Sequence, residues 1–276
     1  MNIATAASAA STADGFPAFT IVEGNPAAGL LIVCDHAENR LPEEYGDLGL
    51  PAIEFQRHIA YDPGAAAVSR GLAERLGVPA VLSTFSRLLI DPNRGEDDPT
   101  LIMRLSDGAV VPGNAVVDAA ERARRIARFH APYHAAVDAA IDRALATGHP
   151  PGIISVHSYT PVWRGYRRPW HAGILWDIDP RMARPLIDGL RADVDLIVGD
   201  NEPYSGALAN DSMFRHSTRR GLPNGLLEIR QDLIGDEAGA MSWVERLVPI
   251  VEAINARPEV HEIRHYGSHV GPVIPL

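Results

Sequence analysis

Two histidines stand at the ends of apolar runs of the 276-residue chain: His36 after LLIVC and Asp35, in CDHAENRLP, and His157 directly after IISV, in SVHSYTP. A side chain at the end of a buried strand is aimed out of the sheet edge, and a neutral imidazole is a good zinc ligand. The plainer alternative for each is a partly buried ring bonded to backbone. A hydrolytic zinc site needs three protein ligands and one open position, so two imidazoles need an acid. Asp62, in HIAYDPGA, and Glu38 are the candidates. Asp62 before Pro63 also suits a helix cap, and Glu38 also suits the surface. His130 and His134, in HAPYH, share a helix face at i, i+4 but lack the Glu of HExxH, so packed helix histidines are the plainer reading.

Glu228 interrupts the apolar segment LLEIRQ. A carboxylate in a buried strand is costly unless paired. Arg230 lies on the same side at the strand period of two, and from the chain alone that pair is the favoured reading. The sharper one is a general base with a raised pKa. In DPNR, residues 91–94, Arg94 is a forked cation suited to a carboxylate, within what is also turn chemistry, with Asp97 and Asp98 near enough to pair with it. The segment WRGYRRPW, 163–170, reads as a loop over the sheet edge and over the ligand. No GxGxxG, Walker sequence or GxSxG is present, and nothing independent makes Ser158 a nucleophile.

These residues need a scaffold that brings distant strand ends together. Apolar runs alternate with helical-period segments, the α/β pattern. Strands are expected at 30–34, 78–85, 153–156, 174–176, 196–198 and 226–229. Helices are expected at 63–76, 179–191 and 241–255, and over 114–147 with Pro132 kinking or splitting the last. Residues 94–113 read as a long excursion or lid. Four apolar strands end in Asp35-His36, His157-Ser158, Asp200-Asn201 and Glu228, and ligands gather outside the carboxyl ends of strands in open α/β sheets. One catalytic domain over 18–276 is expected, preceded by a frayed tail, 1–17, that is small and polar rather than a signal peptide.

Composition narrows the chemistry further. The net charge is −10, which argues against nucleic acid and anionic membranes as partners, and no apolar stretch is long enough to span a membrane. All 25 basic residues are Arg, so Schiff-base lysines, P-loop lysines and Ser-Lys dyads are excluded. The single cysteine, Cys34, excludes internal disulfides and Cys₄ zinc sites and fits a reducing cytoplasm.

In order, DHAENRLP, HIAYDPGA, SRLLIDPNR, PYH, SVHSYTP and LLEIRQ resemble the motifs of the N-formylglutamate amidohydrolase (deformylase) family, over roughly residues 30–235. The resemblance implies a three-layer α/β/α sandwich with a mixed central sheet, similar to zinc carboxypeptidases and aspartoacylase. It implies a cytoplasmic zinc amidohydrolase of amino-acid (histidine) catabolism. His36, His157 and Asp62 (or Glu38) would hold zinc, and Glu228 would activate water. Asn93 and Arg94, joined by Arg87 or Arg230, would grip a substrate carboxylate. Asn39, Ser158, Asn201 and Tyr204 would complete the substrate contacts, the last two within NEPYSG, which is similar to the family's substrate loop. Where the family carries Pro-His-Ser-Gly and Asp-Arg-x-Tyr elements, this chain has Asp35-His36-Ala37-Glu38 and Asp62-Pro63-Gly64, the mark of a divergent branch. The implied reaction removes a formyl or other small acyl group. The rivals are a zinc amidase or carboxypeptidase-like enzyme on another N-acyl amino acid or peptide, and a non-catalytic small-molecule binding module.

Overall fold

The computed structural model describes residues 15–276; most of the expected tail, 1–14, lies outside the described residues. A seven-stranded sheet is built from β1 (Phe19–Val22), β2 (Leu30–Cys34), β3 (Ala80–Ser83), β6 (Gly152–Tyr159), β9 (Ala172–Leu175), β10 (Val198–Asp200) and β11 (Asn224–Arg230). Two small hairpins, β4–β5 (Leu105–Ser106, Ala109–Val110) and β7–β8 (Val162–Trp163, Tyr166–Arg167), stand outside it. The order across the sheet is β1-β3-β2-β6-β11-β9-β10. Pairing is parallel from β3 through β2 and β6 to β11 and between β9 and β10, and antiparallel at β1–β3 and β11–β9. The sheet is therefore mixed, as expected.

Strands buried on both faces read as unbroken apolar runs, because alternate residues serve two cores. On one side Leu30, Ile32, Cys34, Ile154, Val156, Leu227 and Ile229 pack with α1 (Ala65–Leu76), α5 (Pro180–Arg191) and α7 (Glu237–Asn255). On the other, Leu31, Val33, Val81, Ile153 and Leu226 pack with α4 (Ala131–Leu145) and the loops around Phe85, Leu89 and Ile90. Helices thus cover both faces, giving three layers. Phe16 lies edge-on to Phe129 at 6.2 Å, and Ala18 is buried, so packing reaches back past the expected start of the domain.

The long helical stretch is divided. Short helices α2 (Pro112–Ala115) and α3 (Ala119–Arg125) lead through a π-helical turn, Ile126–His130, into α4. Pro132 sits in the first turn of α4, where its missing N–H leaves no bond unmade. A short helix, α6 (Ser212–His216), follows Asp211, whose side chain caps it by accepting from the Phe214 N–H at 2.7 Å.

Candidate metal and catalytic site

The odd-numbered residues of β6 (Ser155, His157) and the even-numbered ones of β11 (Leu226, Glu228) face the α4 side of the sheet. The register places Glu228 directly beside His157 on the adjacent parallel strand. His36 leaves the end of β2, next to β6. Asp62 is carried to the same point because its own N–H donates to the His36 carbonyl at 2.9 Å. It is not a helix cap. Gly64 (φ 82°) occupies the N-cap position of α1, and the Asp62 side chain turns away from the helix. Only glycine fits there, since a Cβ would meet the Ile234 carbonyl oxygen at 2.1 Å.

The Asp62 Oδ2 lies 2.8 Å from His157 Nδ1 and 3.4 Å from His36 Nδ1, and accepts from the Ser158 N–H at 3.2 Å. The two rings stand edge to face with centroids 4.9 Å apart. One donor atom from each of the three residues falls within 4.8 Å of the other two. Behind each ring stands another acid. His36 Nε2 bonds Asp91 Oδ1 at 2.7 Å, and His157 Nε2 bonds Asp35 Oδ2 at 3.0 Å. A carboxylate behind an imidazole places the proton on Nε2 and turns the Nδ1 lone pair forward.

Asp35 is pinned in turn by hydroxyl donors from three elements: Tyr133 of α4 at 2.9 Å, Ser155 of β6 at 3.1 Å and Ser212 of α6. Asp91 also grips the Arg87 guanidinium, through Oδ2, at 2.6 and 3.1 Å. Burial alone would raise the carboxyls of Asp35, Asp62 and Asp91. The histidines, and at Asp91 above all Arg87, reverse this and hold all three well below the usual carboxylate range. Burial disfavours charge on His157, but hydrogen bonds and charge from Asp35 and Asp62 win and raise its pKa strongly. Three buried carboxylates facing two imidazoles form a site with an excess of negative charge. The donor set is therefore suited to a divalent cation, which would take the place of a ring proton.

The site opens into a cavity of about 270 Å³ that His36, Asp62, Arg87, His157 and Glu228 line together. Glu228 is 6% exposed, and its Oε2 has no hydrogen-bond partner. Burial, reinforced by the Asp62 charge and opposed by His157, His36 and Arg87, raises its pKa to about 7. The pair with Arg230 does not form: Arg230 turns to Asp232 at 2.8 Å and to the Trp170 carbonyl at 3.2 Å. Strand period names a face, and here it does not name the partner.

The remaining expectations divide. Asn93, Arg94, Ser158 and Tyr204 line the cavity. Asn93 Oδ1 accepts from the Ser212 N–H, and the Ser158 hydroxyl donates to the Pro63 carbonyl. Arg94 donates to its neighbour's carbonyl and to Thr100, with Asp98 at 3.9 Å. Three other side chains expected at the substrate are not among the cavity-lining residues and make contacts within the protein. Asn39 donates to the Phe55 carbonyl, Arg230 is held by Asp232, and the Asn201 Oδ1 accepts from the N–H groups of Trp176 and Gly206 to close the 201–206 loop. Glu38 pairs with half-exposed Arg40, so the acid between the histidines is Asp62. The fourth strand end does not join the site: Asp200 binds Trp176 and Arg184.

Asp35, Asp91 and Asp211 were not singled out for these roles by sequence. Asp211 is fully buried beside the cavity, with its pKa raised to about 7 by that burial. For Asp35 a signal existed, since it immediately precedes a strand-end histidine. Asp91 was hidden because it also makes the turn bond expected of DPN, accepting from the Asn93 N–H at 2.9 Å.

The family model described as N-formylglutamate amidohydrolase matches residues 28–235. A gene product of Agrobacterium tumefaciens is 34% identical, with 88% of this chain and 97% of that one covered at a TM-score of 0.81. An N-formylglutamate amidohydrolase from Ralstonia eutropha shares the fold at 21% identity and a TM-score of 0.65, with 86% and 96% covered. No curated protein matches the sequence.

Proposed function

The chain belongs to the N-formylglutamate amidohydrolase family, and from that membership we propose that it hydrolyses the acyl amide of a small N-acyl amino acid such as N-formylglutamate, using zinc held by His36, Asp62 and His157. The observation that carries this reading is one juxtaposition: two carboxylate-backed imidazoles and Asp62 converge on one point, with the unpartnered Glu228 carboxylate on the adjacent strand. When bound, zinc supplies Lewis acidity, which polarises the acyl carbonyl and makes water a nucleophile near neutral pH.

The chain's own residues do the rest. Asp35 and Asp91 hold the rings in the orientation that presents Nδ1. Glu228 takes the proton of the attacking water and returns it to the departing amine nitrogen. A carboxyl with a pKa of about 7 is suited to both halves of that transfer at neutral pH. Arg87, fixed by Asp91, sits 3.7 Å from Asp62 Oδ1 and faces the cavity. Its charge opposes the negative charge that develops on the carbonyl oxygen. Asn93 and Arg94 hold the substrate carboxylate, for which a guanidinium fork is well shaped. The products are formate, or another small acid, and a free amino acid. A cavity of about 270 Å³ suits such a substrate better than a peptide.

The test is elemental analysis after chelator-free purification, with a panel of N-formyl, N-acetyl and N-succinyl amino acids. About one equivalent of zinc and turnover of at least one N-acyl amino acid are expected. Less than about a tenth of an equivalent, with no turnover on adding metal, overturns the reading.

A further inference from the structure

Arg168, just past β8, is 4% exposed, and no carboxylate of the described residues pairs with it. Among the described residues the other buried guanidinium groups are neutralised, Arg125 by Glu121 at 2.7 Å and Arg181 by Asp179 at 2.6 Å, and the half-buried Arg87 is paired with Asp91 at 2.6 Å. Arg168 instead lies over the rings of Tyr204, Tyr159 and Trp163, at 5.0, 5.3 and 5.5 Å. It donates to the Thr160 carbonyl and hydroxyl at 3.2 and 3.3 Å and to the Tyr204 hydroxyl at 2.8 Å. Aromatic faces and neutral oxygens solvate a cation without cancelling its charge. A buried positive charge therefore stands one hydroxyl away from the reaction cavity, which Tyr204, Tyr159 and Trp163 all line.

Tyr204 can present to the cavity a hydroxyl donor polarised by that charge. Its oxygen is used as an acceptor from Arg168, which leaves its own hydrogen free to donate. Burial raises the Tyr204 pKa, so the hydrogen stays on. The loop that carries it is firmly seated. Asn201 bonds across the loop to Trp176 and Gly206, and Gly173 of β9 lets the loop press on the sheet, since a Cβ there would meet the Glu202 carbonyl oxygen at 1.7 Å. Arg94 belongs to a different segment of the cavity wall and donates independently.

We propose that Arg168, acting through the Tyr204 hydroxyl, is a second anion-recognition element of the cavity, selecting N-acyl amino acids that carry a second carboxylate in addition to the one at Arg94. This rests on the hydrolytic reading above, and it is tested by two arms that fail separately. In the first, Tyr204→Phe lowers the ratio of kcat/KM for N-formylglutamate over N-formylglutamine by about tenfold, the worth of one hydrogen bond to a charged group, with the loss in KM rather than kcat. Arg168→Gln does the same, and Arg168→Lys, which keeps the charge, restores part of the ratio.

The second arm needs no turnover. Titration calorimetry of the zinc-loaded protein finds glutarate bound more tightly than butyrate, and Tyr204→Phe removes the preference. If wild type binds the two alike, or if the Tyr204→Phe and Arg168→Gln variants keep the preference, the recognition role is overturned. If the preference is present and depends on Tyr204 but no N-acyl amino acid is hydrolysed, only the hydrolytic reading falls.

Discussion

His36 and His157 each give Nε2 to a carboxylate and turn Nδ1 to the same acid and to the cavity. His130, His134 and His216 are as deeply buried but use their nitrogens on one another. His130 Nε2 meets the Arg94 carbonyl at 2.9 Å and His134 Nε2 at 3.2 Å; His134 Nδ1 meets His216 Nε2 at 2.8 Å; His216 Nδ1 ends the series on Asp138 at 3.0 Å. One acid serves three rings here, whereas three acids serve two rings at the cavity. Burial accordingly keeps the trio's pKa values below the usual histidine range, while His157 is pushed above it. The same residue type becomes a metal-ready donor where carboxylates back it and the front is open. In the trio it is a neutral strut, joining α4, α6 and the Arg94 segment.

Four experiments break or sharpen that contrast. The largest effect is expected at the front of the cavity pair: Glu228→Gln lowers kcat on the order of a hundredfold or more, with little change in thermal midpoint, because Glu228 Oε2 has no partner to lose. Unfolding, or a loss of only a few-fold, removes Glu228 from the chemistry. Next, Asp91→Asn and Asp35→Asn weaken metal binding by about 10–100-fold in a chelator competition. His216→Gln, remote from those ligands, leaves the affinity nearly unchanged. Equal losses would erase the distinction between the two groups. Third, His216→Gln costs about 1–3 kcal/mol in urea denaturation, since it takes the partner from the buried His134 Nδ1, while half-buried Asp138 keeps Arg220 at 2.9 Å.

The smallest effect is a pH slope. With folded pKa values lowered, the trio favours the folded state fully above the unfolded histidine value of about 6.5 and progressively less below it, by up to about 1.4 kcal/mol per pH unit per ring until the folded form itself protonates. Urea midpoints between pH 8 and pH 5 should fall more steeply for wild type than for His216→Gln. Parallel slopes would mean the trio does not titrate in this way.

How much of this was legible follows from what is local in sequence. LLIVC marked β2 residue for residue, and the cores of β6 and β11 stood out for the same reason: two-sided burial demands consecutive apolar residues. His36 stands two residues past β2, and His157 lies inside β6 just after the apolar run 153–156, so both were readable as polar residues at the carboxyl ends of apolar runs. Asp62 was readable only as one of two candidate acids, beside Glu38, because its local setting equally suits a helix cap, and its partners lie 26 and 95 residues away. The contacts that Asn39, Asn201 and Arg230 make were hidden for a related reason. Side chains that close loops are polar and placed near functional segments, just as substrate contacts are. The lone charge of Arg168 was invisible, because lacking a counter-ion is a property of a packed surrounding and not of a motif.

Asp91 holds His36 with one oxygen and Arg87 with the other. A guest that draws Arg87 toward itself would pull on Asp91 and so on the His36 ring; were the His36–Asp62–His157 group to hold a cation, reciprocity would make that cation shift the guest's affinity by the same factor. Occupancy by one species would then act as a dial on the other, set through a single side chain that touches neither.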